Sequence, residues 1–335
     1  MAPKLFAKRL AWLCRHKFKV LNLGEAIHRL QTGKLRRKTA VITIDDGFYS
    51  FYKYALLLLK QFNYPATIYI TTYYVIKENP IFRLVVQYVF WKTKVDTFVI
   101  DGMLPQLKGR RPTKGQAARD LMWQIIDYGE RELTECQRVE VARKLCERLA
   151  LDYGCLRNMR QLSLMNQGEI TQLAKTGIDL QLHTHRHNLP ADLDQLDKEI
   201  NENREILEPL KGKPLEHLCY PSGIWDSQHW KLLKNLGIKT ATTSDLGLNK
   251  PETHLFRLHR FLDRNDITEL EFEAEMFGFK ELLRSIKNKA GTWPIKLKRS
   301  ILERNKKDIA SFSGLPHVHP KKLNAALVDK FQKIK

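Results

Sequence analysis

The 335-residue chain lacks several common signatures, and each absence excludes a class. No apolar run approaches the roughly 18–20 residues that a membrane-spanning helix needs. The N-terminal stretch from Met1 to Lys19 is basic throughout and has no apolar core followed by small residues, so it does not read as a secretory leader. The five cysteines are odd in number and never spaced as CxxC, which fits reduced thiols better than a disulfide framework. No internal repeat and no low-complexity tract interrupts the chain. Hydrophobic residues make up 43% and charged residues 28%, ordinary values that exclude wholesale disorder. These absences lead us to expect a cytoplasmic protein, peripheral on the inner face of a membrane where it meets one.

Acidic residues are also scarce. Against 57 Lys and Arg stand 37 Asp and Glu, a net charge of +20. Such a field attracts polyanions. Residues 280–335 alone carry 15 basic and 4 acidic side chains, a net of +11. Within that tail Trp293, Ile295, Leu297, Ile301 and Leu302 are interleaved with Lys296, Lys298, Arg299 and Arg304, a pattern suited either to a helix packed on the fold or to an anionic membrane surface. No zinc-finger or RNP pattern is present, so no specific nucleic-acid partner is expected.

Short β-rich runs alternate with amphipathic stretches. Val41–Ile44, Ala66–Thr72, Ile178–Leu182, Glu216–Tyr220 and Ile238–Thr243 read as strands. Helices are expected over Phe48–Phe62, Gln167–Thr176, Leu193–Leu207 (stopping before Pro209), Asp226–Leu236 and Thr268–Lys287. Residues 75–162 break this alternation and read as a mainly helical insertion, with a helix over Thr134–Leu151 and a loop over Asp101–Lys114. Repeated βα units imply an α/β fold with a parallel sheet or barrel, whose chemistry sits at the C-terminal ends of the strands.

Three polar clusters fall at such ends. Thr43-Ile44-Asp45-Asp46-Gly47 pairs two carboxylates whose repulsion a cation would relieve, although Asp-Gly is also a common turn dipeptide. His183-Thr184-His185-Arg186-His187 places histidines at i and i+4, which converge on one metal if the backbone turns after the strand. Two imidazoles and one carboxylate with open positions suit hydrolytic zinc, or iron in oxygenases. Leu218-Cys219-Tyr220-Pro221-Ser222-Gly223 is, on composition, a turn.

In this order the clusters resemble the NodB-homology polysaccharide deacetylases, carbohydrate esterase family 4. Thr43–Gly47 is similar to the family's TFDDG motif, with Ile44 for Phe. His183, Thr184 and His187 match H-[ST]-x-x-H. Cys219–Gly223 matches in part an R-x-P-x-G or AYPYG turn. The resemblance runs from about Phe6 to Phe279, and it implies a distorted (β/α) barrel of about seven strands. The deacetylase domain would then be residues 1–280, containing the 75–162 insertion, followed by a basic extension over 281–335.

The resemblance also implies roles. Asp46, His183 and His187 would hold a divalent metal, Zn2+ first, with Co2+, Ni2+ or Mn2+ as alternatives. Asp45 would be the general base, Thr184 would steady the histidine loop, and the Tyr220 N–H would help hold the oxyanion. The substrate would be an N-acetylated sugar in a polysaccharide, lipopolysaccharide or glycolipid, cleaved to acetate and an amino sugar. The family's base-orienting Arg is replaced here by Cys219, so Arg257 or Arg260 would take that role. The family's late acid motif is approximated by Leu258-His259, which makes His259 the expected acid, with His185 second. A glycan-binding protein of the same fold without turnover is the competing reading. The sequence does not set the oligomeric state.

Overall fold

The computed structural model describes residues 1–289. The tail residues Trp293, Ile295, Leu297, Ile301 and Leu302 lie outside the described residues. The chain divides into two compact units, one of residues 1–47, 53–73 and 168 onward, the other of residues 48–52 and 74–167.

The first unit opens with helix α1 (Pro3–Arg15), strand β1 (Lys19–Leu21) and helix α2 (Leu23–Gln31). Asn22 caps α2, its side chain accepting from the Glu25 N–H. Strands β2 (Thr39–Val41) and β3 (Thr43–Ile44) follow as two pieces of one run, then helix α3 (Leu56–Gln61) and strand β4 (Thr67–Ile70).

The second unit contributes helices α4 (Tyr73–Lys77) and α5 (Phe82–Lys92), an antiparallel pair β5 (Thr97–Val99) and β6 (Arg110–Pro112), and helices α6 (Gly115–Glu132), α7 (Glu135–Arg148) and α8 (Tyr153–Met159). A reciprocal cap between Thr134 and Gln137 starts α7. The loop expected over Asp101–Lys114 is shorter than the sequence suggested, because Arg110–Pro112 pairs back on Thr97–Val99.

Helix α9 (Gln167–Ala174) leads back into the first unit. There follow β7 (Asp179–Leu182), α10 (Leu193–Lys211), β8 (His217–Cys219), α11 (Trp230–Asn235), β9 (Thr240–Thr242), α12 (Glu269–Met276) and α13 (Phe279–Lys289). Four helices depart from expectation: the stretch expected over Phe48–Phe62 is α-helical only from Leu56, after a wider π turn at Phe51–Ala55, and that expected over Asp226–Leu236 opens as a 3-10 turn at Ser227–His229. Helix α10 runs through Pro209 and stops at left-handed Gly212, so the proline costs one turn bond without ending the helix. The stretch expected as one helix from Thr268 is two, because Gly278 adopts φ 77°.

The fold class is α/β, as expected. Strands β3-β4-β7-β8-β9 form one sheet in that order, and every pairing is parallel. β1 pairs in parallel with β2, and a parallel bridge joins Thr242 to Leu258 at the far side. The five-stranded sheet is thus continued along the chain by the β1-β2 pair before it and by the single-residue bridge at Leu258 after it. Tyr69 on β4 and Cys219 on β8 meet Leu23 and Leu258 in one buried cluster. Non-adjacent strands can share a cluster on this scale only if the sheet curls around it.

A second cluster joins Trp12 and Leu13 of α1 to Phe18, Val20 and Phe272. Arg9, buried over the Phe272 ring at 4.2 Å, pairs with Asp263 at 3.0 Å and donates to the Ile267 carbonyl. The first helix is thus fastened to the last segments of the unit. Emptying this cluster by Trp12→Ala should cost about 3–5 kcal/mol.

Candidate metal centre and its base

Parallel pairing brings the ends of β3, β7, β8 and β9 to one side of the sheet, and the three polar clusters with them. Each loop is bent hard. Asp46 (φ 72°), Thr184 (φ 60°), His187 (φ 57°) and Ser222 (φ 58°) are all left-handed, a conformation that costs a side-chain-bearing residue about 1–2 kcal/mol. Strain of this kind gathers where a site needs it. Two glycines complete the bends. A Cβ on Gly47 (φ 84°) would stand 3.0 Å from Ile70, and one on Gly223 (φ 70°) would strike the Ser244 hydroxyl at 2.2 Å.

Asp46 Oδ1 lies 3.3 Å from His183 Nε2 and 3.3 Å from His187 Nε2. The buried His183 donates from Nδ1 to the Cys219 carbonyl at 2.7 Å, which turns Nε2 toward Asp46 and makes it the nitrogen a metal would use. Two imidazole nitrogens and a carboxylate oxygen therefore converge within 4.8 Å of one another. Burial alone would raise the Asp46 pKa, but hydrogen bonds with His183 and His187 outweigh it and hold the carboxyl well below its ordinary range. Burial alone would lower His183, but Cys219 and Asp46 push it well above the usual imidazole value. The two shifts are reciprocal: the carboxylate and the imidazoles stabilise each other's charged forms. A divalent cation fits this donor set.

A second trio, Asp45, His183 and Cys219, also lies within 4.8 Å. It already has a cation. Arg260 grips Asp45 with both ends of its guanidinium, at 2.7 and 3.0 Å, and donates to Cys219 Sγ at 3.2 Å. Its Nε donates to the Thr243 carbonyl at 2.8 Å. Burial would raise Asp45, yet Arg260 more than compensates, and the carboxyl stays ionised. The metal-ready trio is therefore Asp46, His183 and His187.

The other sequence candidates lie elsewhere. Arg257 pairs with Asp245 at 3.2 Å and covers the Trp225 ring at 4.5 Å, away from Asp45. Leu258 and Arg260 share one face of their extended segment, and alternation turns His259 to the other. There its N–H donates to Asn249 Oδ1, and its ring lies against Gly247. The Tyr220 N–H donates to the Thr242 carbonyl at 3.1 Å as part of the sheet, and its phenol donates to the Phe256 carbonyl. Because Pro221 has no N–H, the next donor along that turn is Ser222, at its exposed left-handed corner. Thr184 Oγ1 accepts from the Asn188 N–H, inside the histidine loop. His185 turns away, its Nδ1 2.8 Å from Thr72 Oγ1.

Sequence reasoning missed the residues that hold the histidine loop. Asn203 is fully buried on α10. Its Oδ1 accepts from the His183 N–H at 2.9 Å, while Nδ2 donates to the Ile70 carbonyl and Thr72 Oγ1 at the end of β4. Glu199, one turn earlier, accepts from the Arg186 N–H at 2.7 Å. A signal existed: Glu199 and Asn203 are polar residues on the buried stripe of Leu196, Ile200 and Leu207.

Residues 155–241 match the polysaccharide deacetylase family model. The poly-beta-1,6-N-acetyl-D-glucosamine N-deacetylase of Staphylococcus aureus is 34% identical over 74 residues. That match covers 22% of this chain and only 26% of the relative's length. Two solved structures share the fold. The Streptococcus pyogenes deacetylase PplD, in complex with acetate, aligns at 16% identity with a TM-score of 0.53, covering 82% of this chain and 86% of its own. IcaB from Ammonifex degensii aligns at 15% identity and 0.51, covering 83% and 90%. Similarity to the polysaccharide deacetylase family is thereby shown over residues 155–241, which hold the histidine cluster and the Cys219–Gly223 turn, and the solved structures share the fold.

Proposed function

From that resemblance we propose that the chain is a metal-dependent N-deacetylase of N-acetylated sugars, acting on a glycan or glycolipid and releasing acetate. The observation that most supports this is the division of labour between adjacent carboxylates. Asp46 faces two imidazole nitrogens, and Asp45 faces a guanidinium.

Asp46, His183 and His187 would hold the ion, with Zn2+ assigned first because two nitrogens and one oxygen leave a position open. A bound divalent ion supplies Lewis acidity and brings the pKa of water toward about 7. Asp45, kept ionised and oriented by Arg260, takes a proton from the attacking water at a carboxylate oxygen. The Ser222 N–H is the backbone donor assigned to the developing oxyanion, since that of Tyr220 is engaged in the sheet. Protonated Asp45 then returns the proton to the leaving amine. His259 is the alternative donor. Loss of turnover in His259→Gln with metal content unchanged would assign the proton to His259 instead.

The test is acetate release from N-acetylglucosamine oligomers by the metal-loaded protein and by Asp45→Asn. We expect release by the former and a deep loss in the latter. Full activity in Asp45→Asn would remove the base. The turn of His259 to the face opposite Arg260 favours one other reading, a glycan-binding protein without turnover, in which oligomers are retained and no acetate appears with any of Zn2+, Co2+, Ni2+ or Mn2+. Among the described residues no helix is long and apolar enough to cross a membrane. Within the same proposal, residues 1–280 form the deacetylase domain and the protein acts in the cytoplasm.

A further inference from the structure

The first unit carries a face, independent of the catalytic reading, that has no role in the chemistry above. On α13, Phe279, Leu282, Leu283 and Ile286 recur at i, i+3, i+4 and i+7 and are 43–56% exposed. That spacing puts them on one stripe, roughly 100° wide. The helix's polar side faces α12, where Lys280 pairs with Glu271 and Arg284 with Glu275. Packing on α12 therefore leaves the apolar stripe outermost.

Phe277, 52% exposed, links this stripe to a dense set of cations. Its ring meets Trp12 and His16 edge-on at 5.3 and 5.6 Å, and Lys38 Nζ lies 5.7 Å from its centre. Lys38 belongs to a group with Lys17, Lys19, Lys34, Arg36 and Arg37, all exposed, and among the described residues none is in an ion pair. Residues 1–38 hold 11 basic side chains and 1 acidic. Uncompensated like charges this close are unfavourable unless an anionic surface meets them.

We propose that this face docks on an anionic lipid bilayer, the α13 stripe entering the interface and the cations contacting headgroups. Exposed apolar side chains beside unpaired cations are what such a surface selects. Lys17, Lys19 and Lys38 stand at the starts of β1 and β2, whereas Asp45, Asp46 and His183 follow the ends of β3 and β7. Docking therefore leaves the catalytic end of the sheet facing away from the bilayer.

The test is co-sedimentation of the full chain with vesicles of pure phosphatidylcholine or of phosphatidylcholine mixed equally with phosphatidylglycerol. We expect binding to the mixture alone. Arg36→Gln with Arg37→Gln should lower it about thirty-fold, roughly five-fold per charge. Leu282→Gln with Ile286→Gln should lower it at least about ten-fold, although no charge changes. Both pairs are at exposed positions and leave residues 290–335 intact. Wild-type binding in both double variants would overturn the proposal. So would binding to duplex DNA that the charge pair weakens while vesicles are ignored, or a dimer that the leucine–isoleucine pair dissociates without any effect on vesicles.

Discussion

The two ends of the parallel sheet treat charge in opposite ways. At the C-terminal ends Asp45 is held by Arg260, His183 by Cys219 and Asn203, and Arg186 by Glu199. At the N-terminal ends Lys17, Lys34, Arg36 and Arg37 stand exposed and unpaired among the described residues. The first arrangement suits a site whose geometry must not move. The second suits a surface that meets a partner of opposite charge. Single substitutions should therefore matter at one end and hardly at all, for the isolated protein, at the other.

The largest expected effect is at Asp45. Asp45→Asn should keep the metal and lose about 10²–10⁴-fold in kcat. A smaller loss follows for Arg260→Gln, which acts through Asp45. Removing a charge-assisted pair worth about 1.5–3 kcal/mol should lower kcat roughly 10–100-fold, with KM little changed. If KM rises instead and kcat holds, Arg260 contacts the substrate rather than the base. Asn203→Ala frees the His183 N–H and should weaken metal affinity about 10–100-fold, as loss of an outer partner of a ligand does. Unchanged affinity would mean the histidine loop is held by Glu199 and β4 alone.

Two weaker effects bound the comparison. Burial holds His217 below the ordinary imidazole value, and its Nδ1 is 2.8 Å from Thr240 Oγ1. A histidine lowered in the folded state stabilises above its unfolded pKa, about 6.5, and that contribution is lost as pH falls. The melting temperature should therefore drop more steeply below that pH in wild type than in His217→Gln. Last, Arg36→Gln with Arg37→Gln should shift folding stability by less than about 0.5 kcal/mol. A large loss there would show that the cations are structural after all.

Much of this was legible in the sequence because the signals are local. The DDG and HTHRH clusters sit at strand ends, so βα alternation alone puts them on one side of a parallel sheet. Arg260 was legible only as one of two candidates, since choosing between it and Arg257 needs the alternation of a segment bridged to β9 at a single residue. His259 shows the converse. Its neighbours look like a strand ending in histidine, but sequence does not say which face Leu258 buries. Asn203 and Glu199 were hidden because their partners are 20 and 13 residues away and are backbone N–H groups, which leave no mark on residue type. At Gly278 local propensity decided, since a left-handed glycine separates α12 from α13, whereas at Pro209 it did not, and α10 runs on to Gly212.

The central claim is that segments some 140 residues apart in sequence, as Asp46 and His187 are, make one metal site. Metal content and affinity of the purified full chain, measured beside Asp46→Ala and His187→Ala, test it most directly. One equivalent of a divalent ion in wild type, lost in both variants while their folds persist by circular dichroism, is the result we predict. No ion bound by wild type even on titration, or an ion retained by both variants, would contradict it.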